Sequence, residues 1–316
     1  MRLVFCGTPE FAVPTLEAAI AAGHEVRLVV TQPDRAAGRS MGILASPVKR
    51  VAAARGIEVV QPERIKSNAE FRARLEGVRA EGGLDAIVVV AYGRILPPWM
   101  LQLPRVGCIN LHGSLLPKYR GAAPIQWAVA NGERETGVTT MRIDEGLDTG
   151  PMLLAERRMI APEETAADLF ESLAEVGARL MAKTLHGLAA GTITPIVQNH
   201  AEATLAPILT REDGAIDFSR TARQIYDRWR GFQPWPGAWT MLRGKKLIVH
   251  RTHVGTERGV AAGAVEVRRG AIVMGCGDGG TVEFDEVQLE GKRRMEAGEF
   301  LRGFEVRTGE RLGAPV

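Results

Sequence analysis

The stretch Ala86-Ile87-Val88-Val89-Val90 restricts the fold more than any other part of this chain. Five small or β-branched residues without a polar break read as a strand covered on both faces, since a strand with one wet face alternates apolar and polar residues. Such a strand belongs to a parallel sheet wrapped by helices, and the surrounding segments agree. Residues 3–6, 26–30, 57–60 and 108–111 read as further strands. Between them, Pro14 suits a first helical turn, Leu16, Ala19 and Ile20 make an apolar face, and Gly23 suits the position past the helix end. Ser46 is placed to cap a helix with Pro47 at its first position and Gly56 at its close. Ser67 and Glu70 have capping-box spacing ahead of Phe71 and Leu75. The expected class is α/β, with a parallel sheet in the N-terminal part.

Residues 138–143 and 152–159 read as two more strands, joined by a Gly-rich segment. Thr165, with Asp168 three residues on, caps a long amphipathic helix carrying Leu169, Leu173, Val176 and Leu180 on one face. Residues 192–208 show no period and contain Pro195 and Pro207, which reads as a linker. Beyond it, short alternating pieces at 246–250, 264–267, 272–276 and 281–289 follow a helix at 222–230, the pattern of a small antiparallel barrel. A chain of 316 residues suits two domains, expected at 1–191 and 209–316 around that linker.

Apolar residues at 45% and charged residues at 24% exclude disordered and fibrous classes. The most apolar run, 84–91, contains Asp85 and is too short to span a membrane. Met1-Arg2 runs directly into the first strand, so no leader segment is expected. Cys6, Cys108 and Cys276 are odd in number and far apart. They argue against a disulfide framework or a zinc site and for a reducing, cytoplasmic compartment. The net charge of +3 lies wholly in the last third, where residues 209–316 hold 18 Lys and Arg against 15 Asp and Glu. A mildly basic C-terminal part on a neutral body is compatible with a polyanionic partner.

In a parallel α/β sheet, ligands bind beyond the carboxyl ends of the strands. The segments leaving those ends include neither G-x-G-x-x-G nor G-x-x-x-x-G-K-[ST], so nothing here supports dinucleotide or ATP binding. The chemistry-bearing candidate is Asn110-Leu111-His112. Alternation along a strand puts Asn110 and His112, and with them Ser114, on one face and Leu111 on the other. An amide and an imidazole on one face form a plausible acyl-transfer pair, although the same spacing also serves a purely structural pair. A carboxylate would orient the imidazole, and Asp144, Glu145 and Asp148 on a Gly-flanked loop are the candidates. On spacing alone these acids read equally as turn residues.

Taken in order, GTPEFAVP, TQPDRAAGR, VVAYGRILP, GCINLHGSLLPKYRGAAPIQWA, TGVTTMRIDEGLDTGPML, GAIDF and FQPWPGAW resemble the methionyl-tRNA formyltransferase family of 10-formyltetrahydrofolate-dependent enzymes. The resemblance runs from residue 3 to about residue 304. It implies a Rossmann-like formyltransferase domain, a small OB-like barrel that helps hold tRNA, and a cytoplasmic monomer needing no metal. Asn110, His112 and Asp148 become the catalytic set. Ser114, Leu115, Leu116 and Pro117 match the folate-binding segment, and Val90, Tyr92, Ile95 and Leu96 line the pterin pocket, largely through backbone groups. The loop 34–47 would reach the tRNA acceptor stem. Here Ser40-Met41-Gly42-Ile43 stands where many members carry Gly-Lys-Lys-Leu, leaving Arg35 and Arg39 as its cations. Lys49, Lys245, Lys292, Arg293 and Arg294 complete the expected tRNA contacts.

The activity so implied is transfer of the formyl group of 10-formyltetrahydrofolate to the α-amino group of initiator methionyl-tRNA, for translation initiation. Transfer to a small amine, such as an amino sugar or ribonucleotide, or hydrolysis of the formyl-folate, would use the same N-terminal residues but has no obvious need for a Gly-rich C-terminal barrel. A tRNA-binding module with an inert core would not need Asn110, His112 and Asp148 together.

Overall fold

The computed structural model of the chain describes residues 1–37 and 42–313. It resolves into two compact units, the first made of Met1–Pro124, Glu135–Met159 and Leu169–Pro207. In chain order the first unit's strands are β1 (Arg2–Gly7), β2 (Glu25–Val30), the short pair β3 (Arg35–Ala37) and β4 (Gly42–Leu44), then β5 (Val59–Val60), β6 (Ala86–Val90), β7 (Gly107–His112), β8 (Arg120–Gly121), β9 (Glu135–Arg142), β10 (Met152–Met159) and β11 (Leu205–Ala206). Helices α1 (Val13–Ala21), α2 (Pro47–Ala54), α3 (Ala69–Ala80), α4 (Pro98–Leu101) and most of α6 (Ala166–Ala190) belong with them, whereas α5 (Pro124–Ala130) falls, but for Pro124, in the second unit.

Seven strands form one sheet in the order β10-β9-β7-β6-β1-β2-β5. From β7 to β5 all pairings are parallel, with Val4 opposite Ile87 and Val88 opposite Ile109. The last two strands reverse: β9 runs antiparallel to β7, and β10 antiparallel to β9. Only residues 143–151 separate β9 from β10, too short a connection for a parallel crossover. The sheet is therefore parallel-dominated rather than wholly parallel.

Alternation assigns the two faces. Val4, Cys6, Leu28, Val30, Ile87 and Val89 share a buried cluster with Phe71, Leu75 and Val78 of α3, while Leu3, Phe5, Val29 and Val88 are equally buried. Helix ends follow local chemistry. Ser46 caps α2, its hydroxyl accepting from Lys49 N at 3.2 Å, as expected. The expected Ser67–Glu70 box is displaced by one residue: Asn68 is the cap, its Oδ1 accepting from Phe71 N at 3.0 Å. Asn and Ser are comparable caps, so spacing to the first apolar residue does not separate them.

Helix α6 presses on β7. A Cβ built on Gly177 would lie 2.5 Å from Leu111 Cδ2, so the helix comes this close because the residue has no side chain. Thr184 and Thr140 hydroxyls pair at 2.8 Å beside that contact. Leu111 is thus held from behind, which fixes the opposite direction for its neighbours.

Residues 192–207, expected as part of a linker, lie on the first unit. Ile196 bridges Met152, and β11 pairs in parallel with β8. Tyr119 N donates to Thr204 Oγ1 at 2.9 Å, Arg120 N to Thr204 O at 2.8 Å and Ala122 N to Ala206 O at 2.9 Å. An extended segment fastened by backbone bonds has no apolar period to read.

The second unit gathers Ile125–Arg134, Ile160–Asp168 and the chain from Ile208 on. Helix α7 (Ala222–Gly231) carries a complete capping box of Thr221 and Gln224. Strands β12 (Ala238–Leu242), β13 (Lys245–Val254), β14 (Val265–Arg268), β15 (Ala271–Gly275), β16 (Thr281–Leu289) and β17 (Met295–Glu296) precede α8 (Ala297–Gly303). They pair antiparallel in the order β12-β13-β16-β15-β14, with β17 on β16. No direct ladder joins β14 to β12 among the described residues; residues 310–313 run between them, Val265 N donating to Glu310 O at 2.8 Å and Gly313 N to Met241 O at 3.1 Å, in keeping with the expected barrel-like domain. The sheet's buried face (Leu247, Val249, Ile272, Met274, Val282, Phe284 and Val287) packs with Ile225 and Phe300. Arg230, only 1% exposed, pairs with Asp227 at 2.5 Å and donates to Glu164 O at 2.6 Å, tying residues 160–168 into this unit. Among the described residues, no helix is long and apolar enough to cross a membrane.

Replacing Gly177 with Val should overpack the contact with Leu111 and lower stability by roughly 1–3 kcal/mol, read as a shifted urea midpoint at unchanged slope. A variant as stable as the parent would show that Leu111 moves aside freely.

Candidate active site

With Leu111 committed to α6, alternation on β7 turns Asn110 and His112 the other way. His112 is buried. Its Nε2 lies 2.8 Å from Tyr119 O, and its Nδ1 faces Asp148 Oδ2 at 3.6 Å. A carbonyl can only accept, so Nε2 is the protonated nitrogen and donates. Nδ1 is then the atom that can take or release a proton beside the carboxylate. Asp148 Oδ2 also accepts from Gly121 N at 2.9 Å. The backbone on the two sides of Arg120 therefore holds the imidazole by a carbonyl and the carboxylate by an N–H. Asn110 is half-buried, and among the described residues its amide has no hydrogen-bond partner.

The acid loop separates its three candidates. Asp144 Oδ1 accepts from Gly146 N at 3.0 Å and from Thr149 Oγ1 at 2.7 Å, closing a turn. Glu145 is exposed, and Asp148 alone reaches His112. Asp148 adopts φ 50°, a left-handed conformation that Asp tolerates better than most residues. A Cβ on Gly150 would fall 2.0 Å from Arg142 O, so this return of the chain requires glycine.

The segment expected to bind folate divides by side-chain direction. Ser114 is fully buried and its hydroxyl donates to Lys118 O at 2.6 Å, so it shapes the turn rather than facing outward. Thr139 Oγ1 donates to Ser114 O at 2.7 Å and accepts from Leu116 N at 3.2 Å, pinning residues 114–116 to β9. Leu116 is buried, whereas Leu115 and Pro117 are partly exposed. Val90, Tyr92 and Leu96 have buried side chains, and burial pushes the Tyr92 hydroxyl far above its ordinary pKa. Of the four expected residues, only Ile95, 90% exposed, presents its side chain; Val90, Tyr92 and Leu96 can offer a ligand only backbone.

The expected tRNA contacts meet different fates. Arg39 lies outside the described residues, and Arg35 opens β3. Lys49 is engaged by Asp34 Oδ2 at 2.5 Å and Gln61 Oε1 at 2.7 Å. The Lys49 bond first, and then the bond that Gln61 Nε2 donates to Asp34 Oδ1 at 2.7 Å, hold the Asp34 carboxyl below its usual range. Arg293 pairs with Glu299, and Arg294 with Glu286. Lys245 and Lys292 are exposed and make no ion pair among the described residues. Spacing in a sequence reveals a cation but not the carboxylate that a neighbouring strand places against it.

Fold and site together define a formyl-transfer enzyme, and the comparisons agree. The Formyl transferase family model matches residues 1–185, and the Formyl transferase, C-terminal domain model matches residues 208–305. The chain belongs to the formyl transferase family. A methionyl-tRNA formyltransferase of Acidobacterium capsulatum is 63% identical over 99% of this chain and 100% of its own length. That of Koribacter versatilis is 55% identical over 99% of each. Among solved structures, an N-formyltransferase from Helicobacter canadensis superposes with TM-score 0.64 at 20% identity, covering 89% of this chain and 98% of its own. At that identity the likeness concerns the fold.

Thr139→Val should leave Ser114 O and Leu116 N without their shared partner inside the protein. A loss of about 1–3 kcal/mol is expected, measured by chemical denaturation. Unchanged stability would mean that the 114–116 turn does not depend on Thr139.

Proposed function

We infer that this chain transfers the formyl group of 10-formyltetrahydrofolate to the α-amino group of methionyl-tRNA, giving N-formylmethionyl-tRNA. The observation that carries the reading is an Asn110 amide with no partner among the described residues, on the same strand face as the His112–Asp148 pair, at the carboxyl end of β7. Relatives aligned over the full chain at 45–63% identity bear the name methionyl-tRNA formyltransferase.

The donor set fits a formyl donor. An amide with free N–H groups can hold the formyl oxygen, and the chemistry the cosubstrate supplies is an activated formyl carbon on N10. The amine makes a modest demand: a free α-amino group has pKa about 7.7–8.0, and esterification lowers it further, so much of it is neutral near pH 7. The heavier demand is the oxyanion formed on attack. Asn110 donates to that oxygen, a contribution of about 2.7–4 kcal/mol for one well-placed donor. His112 Nδ1 takes the amine proton and returns it towards N10, a role worth about 10²–10⁴ in rate. Asp148 holds the imidazolium so formed. Its left-handed backbone and the Gly121 N–H aim the carboxylate at Nδ1 rather than into solvent.

In this reading residues 1–191 carry the chemistry and the part from 209 on contributes tRNA binding, with Lys245 and Lys292 as cations that make no ion pair among the described residues, Arg293 and Arg294 exchanging their glutamates for phosphate, and Arg35, Arg39 and Lys49 near the acceptor stem. The enzyme acts on the initiator tRNA as a cytoplasmic monomer.

His112→Ala and Asp148→Asn should each cut formylation turnover by at least about 100-fold with binding of folate and tRNA nearly unchanged. Asn can keep the left-handed backbone and the Gly121 bond, so the second variant separates charge from conformation. Wild-type turnover in either would remove that residue from the mechanism. Over a salt series, Lys245→Ala and Lys292→Ala should each reduce the slope of log affinity for methionyl-tRNA against log salt by about 0.7–0.9. An unchanged slope would place that lysine outside the interface. Folate consumed with no methionyl-tRNA formylated would make a small amine or water the acceptor.

A further inference from the structure

The His112–Asp148 pair is tied together by one side chain that lies neither on β7 nor on the loop carrying Asp148. Gln198 is only 2% exposed. Its Nε2 donates to Asp148 O at 2.8 Å and to Gly150 O at 2.7 Å. Its Oε1 accepts from Arg120 Nε at 3.1 Å and Nη2 at 2.6 Å. Both donor hydrogens and both lone pairs of the amide are engaged. Chemistry also fixes its orientation, because a guanidinium can only donate and the two carbonyls can only accept.

What these four bonds join is specific to the reaction centre. Arg120 is itself buried, with Nη1 3.2 Å from His200 Nδ1. Its neighbours are the two residues that hold the pair, Tyr119 through its carbonyl on His112 Nε2 and Gly121 through its N–H on Asp148 Oδ2. On the other side, Gln198 grips the main chain of Asp148 where it takes φ 50°. A left-handed non-glycine residue persists only where its surroundings over-determine it. The amide thus connects the backbone that presents the imidazole to the backbone that presents the carboxylate.

We propose that Gln198 is a positioning residue for formyl transfer, setting the register of Asp148 against His112 through Arg120 and the Asp148 and Gly150 carbonyls. It touches no substrate and acts only through that pair, so the inference rests on the reading of His112 and Asp148 as the reacting groups. Gln198→Glu keeps the acceptor for Arg120 but loses both donations and sets a carboxylate against two carbonyl oxygens. Gln198→Met keeps the length and loses all four bonds. In either case Asp148 is freed to leave its left-handed conformation and draw its carboxylate away from Nδ1.

The test is steady-state formylation of methionyl-tRNA by the full-length chain carrying Q198E, Q198M or D148A, and by the double variants. Misplacement of a reacting group by about 1 Å costs about 100-fold. Both Gln198 variants should therefore lose kcat on that scale, with KM for each substrate within about threefold of wild type. In a D148A background the same substitutions should cost less than about threefold, because coupled positions are not additive. Thermal melting of the single variants identifies folded protein. A folded Q198E with wild-type kcat overturns the proposal, as does an equal fold-loss with and without Asp148, which would mark Gln198 as a general support of the fold. If neither variant folds, its part in the fold outweighs positioning and the proposal falls. D148A turning over like wild type would instead overturn the reading of the pair itself.

Discussion

The candidate site depends on a main-chain arrangement: one residue presents a carbonyl to His112, the next but one presents an N–H to Asp148, and the turn between them is held by the segment that returns along it. Tyr119 at φ 60° and Gly121 at φ 120° point these groups the same way. Gly121 has no substitute, since a Cβ there would meet Ala206 O at 2.7 Å. Backbone groups cannot swing between rotamers, so an imidazole and a carboxylate held by them stay in register when side chains around them fluctuate. Residues such as Tyr119 and Asp148 in the left-handed region each cost about 1–3 kcal/mol. That strain is offset by bonds made elsewhere, among them the pairing of β8 with β11 and the buried packing of Leu111 under α6.

Strand β7 and helix α6 are two sides of one constraint. Because β7 alternates, the depth at which Leu111 is seated decides how far Asn110 and His112 project on the opposite face. The glycine at 177 sets that depth. A site at a strand's carboxyl end is positioned by whatever packs on the strand's far face, which is why the packing residue Leu111 and the candidate residues Asn110 and His112 are neighbours in sequence.

Much of this was legible in the residues. The β-branched run at 86–90, the Ser46-Pro47 start and the Asn110-x-His112 alternation each state a single physical preference, and the structure follows them. What was hidden depended on distance in sequence. Asn68 displaces Ser67 as a cap because both are good caps and only tertiary packing decides the first turn. The reversal at β9 and β10 lies in a connection length, not a pattern. Residues 192–207 have no periodicity because backbone bonds to 119–122 and single side chains such as Gln198, not a buried face, hold them in place. Asp148 already stands out among the loop's acids in the sequence; what the sequence could not show is that the turn occupies Asp144 while Asp148 faces His112.

The same logic bears on the cations. Arg293 and Arg294 look alike as charges in a row, yet each faces a glutamate on its own unit. An exposed ion pair is worth little in water, about 0–1 kcal/mol. Trading a carboxylate for a phosphate therefore costs little, but it releases less than a free lysine would, because the abandoned glutamate stays nearby and repels the incoming anion. In the proposed tRNA contact, paired arginines of this kind would favour a phosphate offered in one position over phosphate in general, whereas Lys245 and Lys292 would attract it wherever it comes. A surface that mixes the two gains reach from the lysines and selectivity from the arginines, on a chain whose net charge is only +3.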